Sequence, residues 1–339
     1  MKVDLLQICP YDRAPFRDIC RTHSAAARSL GWSSRTVFLH SPDQREEFSP
    51  EEDDRYYMDG AEDTAGLHYL RALQPQKLCL FHRYRSLRVA RLAGLKAQRE
   101  VLLAHEFGLL ASKWRRLRLG VLERKVLLAG VSPPVAEELK SPWVIPNALS
   151  APEEDRTRVS REVARRHLGV LEDELVVGVL GRLHRKKNTL LALEGFAEFA
   201  SRYDAKARLL VVGNGPLQPR LQERSRELKA PVTFTGYVAE ATRYMQAFDL
   251  LLFPAADIEA FGMVALEAML AEVPVVASNA PGPKWVLGDN AVFFERNKPD
   301  AVADALSRAV VERPTGRYRA LKEFSPAAVA DIFSRLASQ

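Results

Sequence analysis

Cysteine is scarce and unpatterned in this chain of 339 residues: Cys9, Cys20 and Cys79 form an odd set with no Cys-x-x-Cys spacing. That argues against a disulfide framework and a zinc site, and makes a reducing compartment the natural setting. Long apolar runs are missing too, since no window holds the ~18 uncharged residues that a spanning helix needs. The stretch Met1 to Cys9 carries Asp4 and runs into Pro10, which fits a buried first strand better than a signal peptide. The expectation is a cytoplasmic protein, with peripheral attachment to the inner face of the cytoplasmic membrane left open. Aromatic residues, 8% of the chain, are scattered without the paired stacking motif of a single-strand nucleic-acid binder. Gly213-Asn214-Gly215-Pro216 is only a fragment of the GxGxxG fingerprint, which disfavours a nicotinamide dehydrogenase. The Gly-x-Ser-x-Gly elbow of serine hydrolases is absent as well.

Charge is nearly balanced. Lys plus Arg number 49 against 43 Asp plus Glu, a net of +6, which suits an anionic ligand or surface without indicating nucleic acid. Two segments depart from the average. Asp43–Asp63 holds ten acidic and two basic residues and reads as a solvated loop. Arg83–Lys125 holds twelve basic residues against Glu100, Glu106 and Glu123. Within it, Lys113-Trp114-Arg115-Arg116-Leu117-Arg118 interleaves basic and apolar side chains. Such a face can lie on anionic lipid, grip a phosphorylated acceptor or simply be a solvated helix.

Apolar runs alternate with helical stretches throughout. Val3–Ile8, Thr36–Leu39, Leu78–Phe81, Val101–Ala104 and Val126–Ala129 read as strands, with a helix over Phe16–Leu30. Ser150–Ser160 is polar and the best linker candidate. The rhythm then restarts with strands at Leu175–Leu180, Leu209–Val212, Val232–Phe234, Leu250–Phe253, Val273–Ala277 and Val292–Phe294. Helices fit between them at Thr189–Ala200, Leu217–Leu228, Glu240–Ala247, Gly262–Ala271 and Pro299–Val311. The economical reading is α/β: two doubly wound, Rossmann-like domains, 1–148 and 149–323, with a last helix, 324–339, packing back on the first. Ligands are then expected at the carboxyl ends of the strands, in an interdomain cleft.

The residues that carry chemistry lie in the second half. Glu259 and Glu267 are separated by seven residues, about 12 Å along a helix, too far for a carboxylate dyad. They suit different parts of one long ligand. Between them the backbone N–H groups of Phe261, Gly262 and Met263 at a helix start suit anionic oxygens, and Gly262 lets a ligand approach closely. Upstream, Gly181 permits a tight turn directly after a buried strand, and Arg182 and Lys187 follow in that turn. Two fixed cations beside a helix start are what a diphosphate needs, and they stabilise charge building on a departing one.

Taken in order, Gly181-Arg182-Leu183 with Lys187-Asn188, Val212-Gly213-Asn214-Gly215-Pro216, Phe234-Thr235-Gly236-Tyr237-Val238, and Glu259 with Glu267 before Pro274-Val275-Val276-Ala277-Ser278 resemble glycosyltransferase family 4. The resemblance implies the GT-B fold and a retaining transfer from a nucleotide sugar. It implies that Arg182 and Lys187 bind the donor diphosphate and that Glu259, with backbone at Phe261, Gly262, Met263 and Val264, holds the donor sugar. Glu267 would take the ribose hydroxyls, and backbone at Tyr237 and Val238 the base. Gly181 and Gly213 complete the donor-binding set, and His105 resembles the family's first-domain histidine that faces the donor sugar. The chain departs from the pattern in the loop 10–16, which lacks glycine and offers Arg13 or Arg17 instead. Glu272 stands where a glycine commonly ends the helix, and Pro281 and Trp285 replace a glycine and a glutamate.

The function expected is transfer from a nucleotide diphosphate sugar, a UDP-sugar above others, to a hydroxyl of a cell-envelope glycan or glycolipid such as a lipopolysaccharide core. No metal is expected, because Arg182 and Lys187 supply the charge that Mg²⁺ would otherwise bring. No nucleic-acid partner is expected either. The alternatives are a non-catalytic nucleotide-sugar-binding protein and a GT-B nucleotide-sugar epimerase.

Overall fold

The computed structural model describes residues 1–40, 55–150, 159–203, 206–295 and 298–338. Most of the acidic segment 43–63 and of the linker 150–160 lies outside them. The chain divides into two units, Met1–Ser150 with Lys322–Gln339, and Ala151–Leu321.

The first unit runs β1 (Lys2–Cys9), α1 (Phe16–Ser29), β2 (Ser34–Phe38), β3 (Arg55–Tyr57), α2 (Thr64–Ala72), β4 (Gln74–His82), α3 (Tyr84–Leu92), β5 (Glu100–Ala104), α4 (Lys113–Val121), β6 (Leu127–Gly130) and α5 (Pro133–Glu138). Its sheet has the order β3-β2-β1-β4-β5-β6, and every adjacent pair is parallel. Leu5, Leu6 and Ile8 of β1 are wholly buried, as a strand covered on both faces requires. Gln7, between them, is equally buried and polar. It needs partners, and its neighbours supply them.

The second unit runs α6 (Arg161–Leu168), β7 (Leu175–Leu180), α7 (Thr189–Arg202), β8 (Ala207–Val212), α8 (Gln218–Leu228), β9 (Val232–Gly236), β10 (Leu250–Phe253), α9 (Met263–Leu270), β11 (Val275–Ser278), α10 (Pro281–Leu287), β12 (Val292–Phe294) and α11 (Pro299–Glu312). The sheet order is β12-β11-β10-β7-β8-β9, again parallel throughout. Both sheets therefore reverse their winding once, between β1 and β4 in the first and between β7 and β10 in the second. The carboxyl ends of those strand pairs are where a doubly wound sheet leaves a crevice. A short helix α12 (Arg317–Glu323) leads to α13 (Pro326–Ala337), which lies against α1 and β4 of the first unit.

A buried ion pair ties α6 to the second sheet. Arg165 is fully buried and donates to Asp249 Oδ2 at 2.6 Å and to the carbonyls of Leu171, Glu172 and Glu174. Asp249 also accepts from the backbone of Val176 at 2.8 Å, so every charge here has a hydrogen-bonded partner. Two expectations need correction. The helix over Glu240–Ala247 is a 3₁₀ turn over Ala241–Ala247. Glu240 is left-handed at φ 49° and Phe248 is already extended, which bounds the turn at both ends. The strand expected from Val273 begins at Val275, because Val273 still bonds back to Ala268 of α9.

Candidate active site

The glycines of the second unit act first on the backbone. Gly181, at φ 138°, donates to Val212 O, and Gly213, at φ 129°, donates to Gly236 O at 2.8 Å. A Cβ on Gly213 would stand 2.1 Å from Gly181 O, and one on Gly215 2.5 Å from Leu183 O. The turn after β8 thus packs on the turn after β7 with no room for a side chain at Gly213 or Gly215.

From this base the turn after β7 reaches toward β10. Arg185–Lys187 form one 3₁₀ turn, closed by Asn188 in the left-handed conformation before α7 begins. Lys186 O accepts from Ala256 N at 3.0 Å, so the loops following β7 and β10 are joined by backbone. Lys187 Nζ donates to Glu259 Oε2 at 2.8 Å and sits 5.2 Å from the Phe253 ring centroid. Both side chains are partly exposed, Lys187 at 27% and Glu259 at 17%, so the pair is neither freely solvated nor locked in the core. It stands at the point where the second sheet reverses its winding.

Neighbouring elements hold the Glu259 loop. Gly282 of α10 packs directly on it: a Cβ there would be 2.5 Å from Glu259 O and from Ala260 O. Ser278 Oγ, fully buried at the end of β11, donates to Ala255 O at 2.6 Å. Phe261 is buried edge-on to Trp285 at 6.1 Å, so Trp285 has a packing role. Gly262, at φ 99°, precedes α9, whose first N–H groups, those of Met263 and Val264, lie on a half-buried face. Glu267 lies one turn further on, also half-buried. Tyr237 is 74% exposed just past β9, with Val238 half-buried behind it. Arg182 is exposed in the turn after β7. The structure thus joins Lys187 to Glu259 directly, whereas the sequence assigned them to separate parts of a ligand. Gly282 and Phe253 are supporting residues that the sequence reading missed. Their signals, a glycine after Pro281 and an aromatic ending an apolar run, are too common to single out. Among the described residues, no group of three or more His, Cys, Asp or Glu side chains is arranged to hold a metal ion.

The first unit collects histidines at the carboxyl ends of β4 and β5. His105 Nε2 lies 3.0 Å from His82 Nδ1, and the two rings stack at 5.2 Å. His23 of α1 stacks on the other face of the cluster, 5.5 Å from His82. Phe16 meets His105 edge-on at 5.0 Å. Burial, with the charges of neighbouring His23 and Arg83, holds the His105 imidazole down at about 3. Burial holds His23 down at about 3, and burial together with the neighbouring His105 and His23 drives His82 well below the usual imidazole range. All three rings are therefore neutral at pH 7.

The glycine-free loop 10–16 is organised by a buried acid. Asp12 accepts from Arg17 Nε at 3.0 Å and from Tyr57 Oη at 2.6 Å, with Arg55 at 3.6 Å. Arg17 is thus engaged in holding the loop. Arg13 is exposed and lies over Tyr11, 4.7 Å from the ring centroid. Glu272, in place of the usual glycine, adopts the left-handed conformation itself at φ 60°.

Residues 174–311 match the family described as Glycosyl transferases group 1. A D-inositol 3-phosphate glycosyltransferase of Corynebacterium urealyticum is 32% identical over 185 residues, 50% of this chain and 42% of that protein. A lipopolysaccharide core biosynthesis glycosyltransferase of Rhizobium meliloti is 31% identical over 134 residues, 39% of this chain and 37% of that protein. The chain spans about two fifths of the length of these relatives. Among solved structures, a glycosyltransferase of Rickettsia africae superposes with a TM-score of 0.77 at 14% identity, covering 99% of this chain and 98% of that one. Anabaena HepE, solved in complex with UDP and glucose, gives 0.76 at 16% identity, covering 99% of this chain and 100% of that one. The fold is that of the GT-B glycosyltransferases.

Proposed function

Because the second unit carries a domain of the glycosyl transferases group 1 family, we propose that the chain is a retaining glycosyltransferase that moves a sugar from a nucleotide diphosphate sugar to an acceptor hydroxyl. The observation that carries this reading is the Lys187–Glu259 pair at the winding reversal of the second sheet, beside the start of α9. Lys187 and Arg182 neutralise the donor diphosphate, and more so as charge builds on it during departure. Glu259 accepts hydrogen bonds from the donor sugar, and its contact with Lys187 keeps the carboxylate aimed beside the phosphates. The peptide groups from Phe261 to Val264 face the same region. Glu267 receives the ribose hydroxyls, and the backbone at Tyr237 and Val238 receives the base. Gly181 and Gly213 leave the peptide groups open to the donor. His105 offers a ring nitrogen to a sugar hydroxyl. The leaving diphosphate accepts the acceptor proton, so no protein nucleophile takes part. UDP is the favoured carrier, supported by the UDP and glucose bound to the Anabaena neighbour.

A thermal-shift series tests the reading. UDP or a UDP-sugar is expected to raise the unfolding midpoint, with other diphosphates ranked below, because a ligand bound only by the native state stabilises it by mass action. Lys187→Ala should abolish most of that rise. No shift with any nucleoside diphosphate or its sugar at millimolar concentration would count decisively against the proposal.

The acceptor side is proposed to lie at an anionic membrane and to present a glycolipid or envelope glycan. No helix among the described residues is long and apolar enough to cross a membrane. On α4, however, Trp114 is 81% and Leu117 57% exposed, with Val121 one turn further on the same side and Leu122 beside it. Lys113, Arg116, Arg118, Arg124 and Lys125 are exposed around this row. An apolar row rimmed by cations suits the headgroup–acyl boundary of anionic lipid. The protein is expected to co-sediment with phosphatidylglycerol vesicles at low salt and to be released by high salt. Trp114→Ser with Leu117→Ser should weaken retention by about tenfold or more, and retention unchanged by these substitutions would exclude this face.

A further inference from the structure

The cluster at the carboxyl ends of β4 and β5 contains a chain of hydrogen bonds whose direction can be worked out. Gln7 Nε2 lies 3.0 Å from the backbone oxygen of Cys20, a group that only accepts. The amide nitrogen of Gln7 must therefore face α1, where Ser24 Oγ at 3.0 Å and Thr36 Oγ1 at 3.2 Å also meet it. This leaves Gln7 Oε1 toward His82 Nε2, at 3.2 Å. An amide oxygen cannot donate, so His82 carries its proton on Nε2. A neutral ring then has a bare Nδ1, and that nitrogen is 3.0 Å from His105 Nε2. The second ring must supply the proton of that bond.

We propose that Gln7, acting through His82, fixes His105 in the single tautomer with Nε2 protonated and Nδ1 bare, so that His105 meets a ligand hydroxyl as a hydrogen-bond acceptor. Gln7 and His82 are positioning residues: both are fully buried, and neither side chain is exposed to touch a substrate. His105 is half-buried, so its ring is the member of the chain that a ligand can reach. The second consequence is specificity. A bare Nδ1 favours a sugar with a free hydroxyl at that place over one whose hydroxyl is replaced by hydrogen, because only the hydroxyl can donate to it in competition with the neighbouring side chain of Asn147. The tautomer follows from the hydrogen-bond geometry and the neutrality of the buried rings, whereas its use on a sugar rests on the glycosyltransferase reading above.

The test is a long-range ¹H–¹⁵N spectrum of the imidazole groups in the intact protein at pH 7. His82 and His105 are both expected in the ε2-protonated pattern. A δ1-protonated or charged His105 overturns the proposal, whatever the enzyme does. The amide oxygen of Gln7 is the acceptor toward His82 Nε2. Gln7→Leu removes it, and His105 should then show two tautomers with kcat for transfer lowered about tenfold, in the range usual for partners that orient a reacting group. Persistence of one tautomer in folded Gln7→Leu would also defeat it. If the spectra are as expected but His105→Phe transfers sugar at the wild-type rate, the tautomer stands and the role assigned to His105 in the reaction fails.

Discussion

Glu259→Gln is expected to lower sugar transfer by two to three orders of magnitude while leaving the fold intact. Glutamine keeps the length and most of the shape of the side chain, so the packing of Gly282 on the backbone of this loop is undisturbed. It removes the charge that faces Lys187 Nζ at 2.8 Å. A donor in the proposed position would lose its strongest acceptor beside the sugar and gain a less well aimed lysine. Removing one preorganised electrostatic group from an active centre typically costs about 10²–10³ in rate. The stability cost is far smaller, because both partners are partly exposed and such pairs contribute roughly 0–1 kcal/mol. Lys187→Ala should act differently, raising KM for the donor and lowering kcat together, since its charge serves the bound diphosphate and even more the departing one. Lys187→Arg should rescue only partly, as the guanidinium spreads over a planar fork the charge that the ammonium concentrates 2.8 Å from Glu259 Oε2. Transfer by Glu259→Gln within threefold of wild type, measured with purified donor and acceptor, would remove Glu259 from the active centre.

The second domain was legible because its strands are short, continuous apolar runs ended by glycine or proline. The expected bounds Leu175–Leu180 and Leu250–Phe253 are those of β7 and β10. Buried parallel strands leave such a trace because both faces are covered. The Lys187–Glu259 contact left no trace: its partners are 72 positions apart, and only the adjacency of β7 with β10 brings them together. The same holds for His23, His82 and His105, which come from α1, β4 and the loop after β5. Only His105 is singled out in the sequence, through the family resemblance, and nothing in the sequence joins it to His82 or His23. The left-handed Glu272 is the opposite case, a conformational role carried by a residue whose type does not advertise it. In α4, the density of arginine masked a helix whose apolar residues face outward, so periodicity pointed to no core-facing side.

Acidification below pH 6.5 is expected to destabilise the first unit steeply, and before carboxylates begin to titrate. His23 and His105 are held at about 3 in the folded protein, His82 well below its ordinary value, and all three return to about 6.5 on unfolding. Between those values the unfolded chain binds more protons than the folded one, so stability rises with pH through this window and is lost as pH falls. Above 6.5 both states are neutral at these rings and the dependence vanishes. Each ring contributes up to about 1.4 kcal/mol per pH unit, and three give up to about 4, to which His40, also held below its ordinary value chiefly by burial, adds in the same direction. From pH 6.5 to 5 this approaches the entire stability of an ordinary domain, about 5–15 kcal/mol. The second unit has no counterpart among its described residues, where His167 and His184 are both exposed. Urea titrations followed by tryptophan fluorescence can separate the two, since Trp32, Trp114 and Trp143 belong to the first unit and Trp285 to the second. The midpoint for the first unit should fall sharply from pH 6.5 to 5, with little movement in the second. His23 has no side-chain hydrogen-bond partner and at most a weak bond to the backbone of Pro146, so His23→Leu forfeits little at neutral pH and should reduce the slope by up to about a third. A flat profile between pH 6.5 and 5 would mean that these rings take up protons as readily in the folded state as in the unfolded one, and an unaltered slope in His23→Leu would remove His23 from the set.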